Sequence, residues 1–315
     1  MRQDHTITDE WDGSRIDRFV RTVLPGLPFH AVQMLLRTGK ILLNGKKARG
    51  GRRLRPGDIV SIGMPEPSTD RKKEKNNGTG GLLEAAFGSI GREIGVLHED
   101  GDCLVINKPA GIVVQPGNRK ELGSLLDLLE LYRLRTGGRS GAVFRYTPVH
   151  RLDMKTTGAL VTAKTRIAAR ALSGAFSEGL VRKEYLAVVD GFPPRPGGTV
   201  PFPLKTRKGT RSRTRVDARG KDALSRYRVL GAVSGGMTLV AVSIATGRTH
   251  QIRAHMAAAG HPLAGDRYYG SSTRRGEGFL LHAWRLAFPH PRTGKTVEIE
   301  APPPAEIASF LRVFR

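Results

Sequence analysis

Residues 65–84 hold Pro65, Pro67, Ser68, the charged run Arg71-Lys72-Lys73-Glu74-Lys75, Asn76-Asn77-Gly78 and Gly80-Gly81, and they carry no hydrophobic period. Such a stretch has nothing to place in a core, so it reads as a flexible linker. The chain around it must therefore fold as two units, a small one over 12–64 and a large one over 85–315. With 315 residues, 39% of them hydrophobic, there is material for both cores.

The small unit reads helix, helix, hairpin. Ser14 can cap a helix that carries Ile16, Phe19, Val20 and Val23 at helical spacing, and Pro25-Gly26 ends it. A second helix runs through Val32, Leu35 and Leu36 and stops at Gly39. A strand, Ile41-Leu42-Leu43, then enters an Asn44-Gly45 turn, and Leu54 to Val60 supplies another turn and strand. This order, with Arg37-Thr38-Gly39-Lys40 and Asn44-Gly45 in place, resembles the S4-type RNA-binding module. Arg15, Arg18, Arg37, Lys40, Arg49, Arg52 and Arg53 are its candidate phosphate contacts.

The large unit mixes short apolar runs, such as Cys103 to Ile106, Leu160 to Ala163, Tyr185 to Val189, Leu239 to Val242 and Thr296 to Ile299, with helical stretches near 122–134, 166–178 and 250–259. Strands and helices do not alternate regularly, which argues against a doubly wound parallel sheet. A mixed, largely antiparallel α+β domain with flanking helices is expected.

Charge narrows the partner. Lysine and arginine number 52 against 28 acids, a net charge of +24 that favours a polyanion through counterion release. The basic residues lie in glycine-rich loops rather than along one amphipathic helix, and no apolar run nears the ~20 residues that span a bilayer, so no membrane partner is expected. Cys103 is the sole cysteine, which excludes an internal disulfide and thiolate metal clusters. A cytoplasmic monomer with RNA as its partner is the expectation.

Chemistry concentrates in Val149-His150-Arg151-Leu152-Asp153-Met154-Lys155-Thr156-Thr157-Gly158, where one carboxylate stands beside a cation. Alone, Arg-x-Asp reads as an ion pair and Thr-Thr-Gly as a turn. A second polar run, Thr246-Gly247-Arg248-Thr249-His250-Gln251-Ile252-Arg253-Ala254-His255, and a third, Gly260 to Gly270, accompany it. Together with Lys183-Glu184-Tyr185-Leu186-Ala187, these segments resemble the signature runs of the RluA family of pseudouridine synthases, and the match spans essentially the whole chain.

The resemblance implies a bent central sheet with an active-site cleft across it, and it assigns the catalytic role to Asp153. It implies that Arg253 pairs with that aspartate, that Arg151 contacts RNA or holds the place of the flipped nucleotide, and that Tyr185 stacks on the target uracil. Leu281 matches an apolar position across the pocket, and Asn107-Lys108-Pro109-Ala110-Gly111 an architectural turn. Met154-Lys155 departs from the basic-then-acidic pair often found after the aspartate, and Thr157 replaces a common serine. No cofactor is implied, because the reaction is a redox-neutral isomerisation. The S4-like module points to large-subunit, 23S-type ribosomal RNA. Val200 to Lys205, Gly220-Lys221-Asp222-Ala223 and Tyr227 lean toward the C type; transfer or organellar RNA are the alternatives. Arg207, Arg211 and Arg213, in the basic loop from Lys205 to Arg215, are further phosphate contacts.

Other chemistries fit less well. A metal hydrolase would draw on the nine histidines, but the spacing of His250 and His255 puts them on different helix faces and no HExxH run exists. A glycosidase needs two flanking carboxylates, and Asp266, in Gly265-Asp266-Arg267, reads as a turn or ion-pair residue. A non-catalytic RNA-binding protein would have no use for Asp153, Tyr185 and Arg253 together.

Overall fold

The structure, a computed structural model, describes residues 2–23, 32, 35–36, 39–49, 51–63, 95–115, 124–136, 144–207, 213–273 and 278–311. The linker expected over 65–84 lies outside these residues, as do Arg37 and Arg211.

The N-terminal unit contains β1 (Arg2–Thr6), α1 (Ile16–Val23), β2 (Ile41–Leu43), β3 (Lys46–Lys47) and β4 (Ile59–Gly63), with the sheet in the order β1-β4-β2-β3. Asn44 and Gly45 both have positive φ, 50° and 75°, which turns β2 into β3 with the twist a tight hairpin needs. Asn44 also locks this turn to β4, accepting from the Ile59 N–H and donating to Asp58. The residues before Asp12, outside the module as the sequence outlines it, supply β1, whose register runs from Arg2 opposite Gly63 to Thr6 opposite Ile59. Ile7 and Trp11 then join Ile16, Phe19, Val20, Leu36 and Ile41 in one core. Ser14 plays a different part from the expected cap. The helix starts at Ile16, and the Ser14 hydroxyl accepts from Arg166, whose guanidinium lies 3.6 Å from the Trp11 ring centroid.

The C-terminal unit is the expected mixed α+β domain. Its strands are β5 (Gly95–Glu99), β6 (Cys103–Lys108), β7 (Thr147–Pro148), β8 (Thr157–Ala163), β9 (Arg182–Asp190), β10 (Gly197–Val200), β11 (Leu204–Arg207), β12 (Arg213–Val216), β13 (Ser225–Val233), β14 (Met237–Ile244), β15 (Leu281–Pro289) and β16 (Thr296–Glu300). Its helices are α2 (Leu125–Arg135), α3 (Arg166–Ser177), α4 (Gln251–Ala258) and α5 (Ala305–Leu311). The main sheet runs β10-β13-β14-β9-β15-β8-β6-β5, with β16 on β15 and β7 on β8, while β11 and β12 form a separate hairpin. Among the described residues, β8 and β15 make its one parallel pairing, through His282 opposite Thr157 and Ala283 opposite Gly158.

Strand periodicity distributes the core. In β6, Cys103 and Val105 face α3 with Ala168 and Leu172, whereas Leu104 and Ile106 face Leu125, Leu129 and Ile252. In β9, Leu186 and Val188 pack with Ile307 of α5, while Tyr185, Ala187 and Val189 share the face covered by α2 and α4. Tyr185, Leu281 and Ile252 lie on this second face.

Candidate active site

Asp153 lies in the loop between β7 and β8, and three anchors fix that loop. His150 stacks on Phe176 of α3 at 4.6 Å and its Nε2 accepts the Val161 N–H at 3.0 Å. Burial, aided by the nearby Lys183 charge, pushes the His150 pKa down to about 3, so it serves as a neutral acceptor. After the aspartate, the carbonyl of Met154 accepts from the Gly111 N–H at 2.8 Å and from Lys108 Nζ at 3.2 Å. Lys108 is fully buried and also donates to the carbonyls of Pro109 and Ile112 at 2.8 and 3.0 Å. The Asn107-Lys108-Pro109-Ala110-Gly111 turn therefore holds the Asp153 loop through a buried ammonium.

The glycine that closes the motif has a steric cause. Gly158 has φ +112°, and a Cβ there would lie 2.3 Å from the Ala283 carbonyl oxygen. Only glycine lets β8 approach β15 in this way. Beside it, Thr157 Oγ1 bonds His282 Nδ1 at 2.8 Å, and His282 Nε2 donates to the Ala301 carbonyl at 3.0 Å.

The second polar run divides its labour. Gln251 Oε1 accepts from Thr246 Oγ1 and the Arg248 N–H at 2.7 and 3.0 Å, and its Nε2 donates to the Leu224 carbonyl. His255 is tied to Ser225 and to the Phe202 carbonyl, both at 2.9 Å. These contacts set the start of α4 so that Arg253 points at the loop. Arg253 Nη1 donates to Asp153 Oδ2 at 3.0 Å, and Nε and Nη2 donate to the two oxygens of Asp266 at 2.6 and 3.0 Å. Burial works against the Arg253 charge, but the bonds to Asp266 and Asp153 more than offset it and raise its pKa.

Asp153, Arg253, Tyr185, Leu281 and Arg151 all line one open cleft, together with Thr156, Arg248, His250 and Ile252. Tyr185 is buried; burial and then the Asp153 charge raise its pKa, so the phenol keeps its proton. Leu281 and Tyr185 supply apolar walls from neighbouring strands, and Arg151 stands exposed at the rim. The arrangement presents one carboxylate, a cation holding it, an aromatic face and a basic margin.

The remaining basic candidates lie elsewhere. Arg18, Lys40, Arg49, Arg52 and Arg53 are exposed on the N-terminal unit, and Arg15 there donates twice to Asp17 at 3.1 and 2.6 Å. Arg207 and Arg213 are exposed on the β11–β12 hairpin, where Arg213 lies 5.3 Å from the Tyr268 ring centroid. Sequence reasoning gave His250 only a metal-ligand reading and left Asp266 as a turn or ion-pair residue. His250 shares its sequence run with Arg253, which is the signal that could have found it, and the bonds of Asp266 to Arg253 agree with its ion-pair reading.

Two other groupings, His98/Asp100/Cys103 and Asp100/Asp102/His290, bring metal-type donors together. His290 Nδ1 accepts the Arg292 and Thr293 N–H groups at 3.2 Å, which places its proton on Nε2, facing Asp100 Oδ2 at 3.0 Å. His98 Nε2 meets the same oxygen at 2.8 Å. Asp100 thus gathers donors that tie two turns, and the lone pairs a cation needs are already used.

A family model for RNA pseudouridylate synthases matches residues 102–258, the span from β6 through α4 that carries Asp153 and Arg253. An uncharacterized RNA pseudouridine synthase of Bacillus subtilis (strain 168), YlyB, is 34% identical over 99% of this chain and 98% of its own. Ribosomal large subunit pseudouridine synthase C of Escherichia coli (strain K12) is 36% identical over 94% of this chain and 91% of its own. Among solved structures, human RNA pseudouridylate synthase domain containing 1 aligns with a TM-score of 0.53 and 27% identity over 71% of this chain and 95% of its own. Human RNA pseudouridylate synthase domain containing 4 shares the fold at a TM-score of 0.59 and 24% identity, over 75% of this chain and 97% of its own. With this similarity from end to end, the chain belongs to the RluA family of RNA pseudouridine synthases, isomerases that convert uridine to pseudouridine in RNA.

Proposed function

We propose that this enzyme acts on uridines of large-subunit, 23S-type ribosomal RNA, with Asp153 as its catalytic carboxylate. The observation that carries the role of Asp153 is its bond to Arg253 at 3.0 Å inside the cleft, with Arg253 itself gripped by Asp266. The RNA class is supported by the Escherichia coli relative, whose name specifies the ribosomal large subunit, and by the net charge of +24.

Isomerisation breaks the bond from uracil N1 to the ribose, forms one from C5, moves the C5 proton away and returns a proton to N1. Asp153 serves either by attacking the ribose carbon or by taking a ribose proton, and both uses require the carboxylate charge that Arg253 faces. Tyr185 receives the extruded uracil on its ring, Leu281 bounds it, and Arg151 holds the vacated place or a phosphate at the rim. Arg15, Arg18, Arg37, Lys40, Arg52 and Arg53 of the S4-like module, and Arg207, Arg211 and Arg213 of the basic sequence from Lys205 to Arg215, contact phosphates. A redox-neutral rearrangement of this kind calls for no redox cofactor, and the reading includes no metal. No helix among the described residues is long and apolar enough to cross a membrane. The cytoplasm is the compartment we propose for its meeting with RNA.

The test is pseudouridine mapping of ribosomal RNA, by carbodiimide treatment and primer extension, in cells with and without the protein. Loss of one or more large-subunit pseudouridines, restored by the purified enzyme, is the expected result. Losses confined to transfer RNA would overturn the substrate.

A further inference from the structure

His250 stands at the start of α4 with φ +54°, a left-handed conformation that a histidine rarely holds. Its ring lies in the cleft, with Nε2 3.6 Å from Asp153 Oδ2. On the other side, Nδ1 is 3.0 Å from the hydroxyl of Tyr269. Tyr269 in turn accepts the backbone N–H of Thr214 at 3.1 Å. Thr214 belongs to β12, one arm of the hairpin that carries Arg207 and Arg213.

The Thr214 N–H can only donate, so the Tyr269 oxygen accepts it. With that oxygen already accepting, the arrangement favours the phenol hydrogen pointing to His250 Nδ1. An Nδ1 that accepts puts the proton of a neutral imidazole on Nε2, the nitrogen that faces Asp153. His250 is held neutral chiefly by burial, against the pull of Asp153. Arg253 Nη1 reaches the same oxygen, Oδ2, so neither of these contacts falls on Oδ1.

We propose that His250 is a positioning residue: its Nε2–H, set by Tyr269, steadies Oδ2 of Asp153 beside Arg253 and leaves Oδ1 as the reactive oxygen. The 3.6 Å separation exceeds a hydrogen bond, and catalytic contacts of this kind tighten when substrate closes the site. Because the relay starts at Thr214, RNA seated on the arginine hairpin is registered to the carboxylate through Tyr269 and His250. The proposal rests on the assignment of Asp153 as the catalytic carboxylate.

The experiment compares steady-state kinetics of Tyr269→Phe, His250→Gln, His250→Asn and Asp153→Asn on one RNA substrate, with a thermal melt of each. Gln can place an amide N–H near the Nε2 position, whereas Asn reaches only the Nδ1 position but accepts a left-handed backbone more readily. Expected are a kcat about 10-fold lower for Tyr269→Phe and about 100-fold lower for His250→Asn, KM within about twofold, and His250→Gln within about 5-fold of wild type. A backbone role alone would make Asn the better replacement, and that ranking, or a Tyr269→Phe enzyme with unchanged kcat, overturns the proposal. If a His250 variant does not fold, Tyr269→Phe decides by itself. Turnover by Asp153→Asn would remove the underlying assignment; an inactive Asp153→Asn beside fully active His250 and Tyr269 variants would remove only the present inference.

Discussion

Asp266 grips Arg253 through two hydrogen bonds, 2.6 and 3.0 Å long, with both side chains buried. The one guanidinium nitrogen outside that pair, Nη1, is thereby aimed at Asp153. Asp266→Asn removes the charge that balances a buried cation, an expected loss of about 3 kcal/mol in stability. Because Arg253 also loses its bearing, kcat should fall about 10- to 100-fold with a smaller change in KM. Urea unfolding and steady-state kinetics check both; a variant with wild-type kcat would detach Asp266 from the site.

Lys108 makes the second test of how the loop is held. Its ammonium donates to the carbonyls of Pro109, Ile112 and Met154. Lys108→Met keeps much of the side-chain volume but takes this donor from the Pro109 and Ile112 carbonyls and leaves the Met154 carbonyl with the Gly111 N–H alone, an expected cost of about 2–4 kcal/mol. The melting temperature should drop, and kcat with it, since Met154 follows Asp153. Unchanged stability would mean that water replaces the ammonium at no cost.

His150 gives a pH test. An ordinary histidine protonates near 6.5, but in the folded protein burial holds His150 neutral down to about 3. Between those values the unfolded chain binds the extra proton, so the stability contributed by neutral His150 is full above about 6.5 and is lost as pH falls. His150→Gln retains an oxygen acceptor for the Val161 N–H without titrating. Its stability should decline less steeply than that of wild type between pH 6.5 and 3, measured by denaturant unfolding at each pH. Parallel curves would contradict the reading.

The core was legible because its strands are continuous apolar runs. Cys103 to Ile106 and Tyr185 to Val189 have no polar residue, the mark of a strand packed on two faces, and both are β-strands buried on both sides. β1 was not legible, because Arg2 to Thr6 has no apolar residue and earns its place by pairing with β4. At the site, Asp153, Arg253 and Tyr185 could be singled out through family motifs, yet their partners depend on tertiary contacts. Asp266 lies 13 positions from the arginine it holds, and Tyr269 19 positions from His250. The left-handed φ of His250 has no sequence signature at all, since glycine and asparagine are the residues that advertise it.

The arginine hairpin makes a salt test. Arg207 and Arg213 are exposed and face each other across the hairpin, Arg213 lies 5.3 Å from the Tyr268 ring centroid, and Arg211 stands between them in sequence. Replacing Arg207, Arg211 and Arg213 with alanine should weaken RNA binding and flatten the slope of log K against log salt by about 2, from the charge lost. Filter binding over a salt series measures it. An unchanged slope would assign the hairpin cations to solvent.

Asp153→Asn tests the central claim most directly. The substitution preserves shape and removes the charge, so pseudouridine formation on ribosomal RNA should fall below detection, while RNA affinity stays within about threefold of wild type because the phosphate contacts are untouched. Pseudouridine formed by Asp153→Asn at a rate near that of the wild-type enzyme would contradict it.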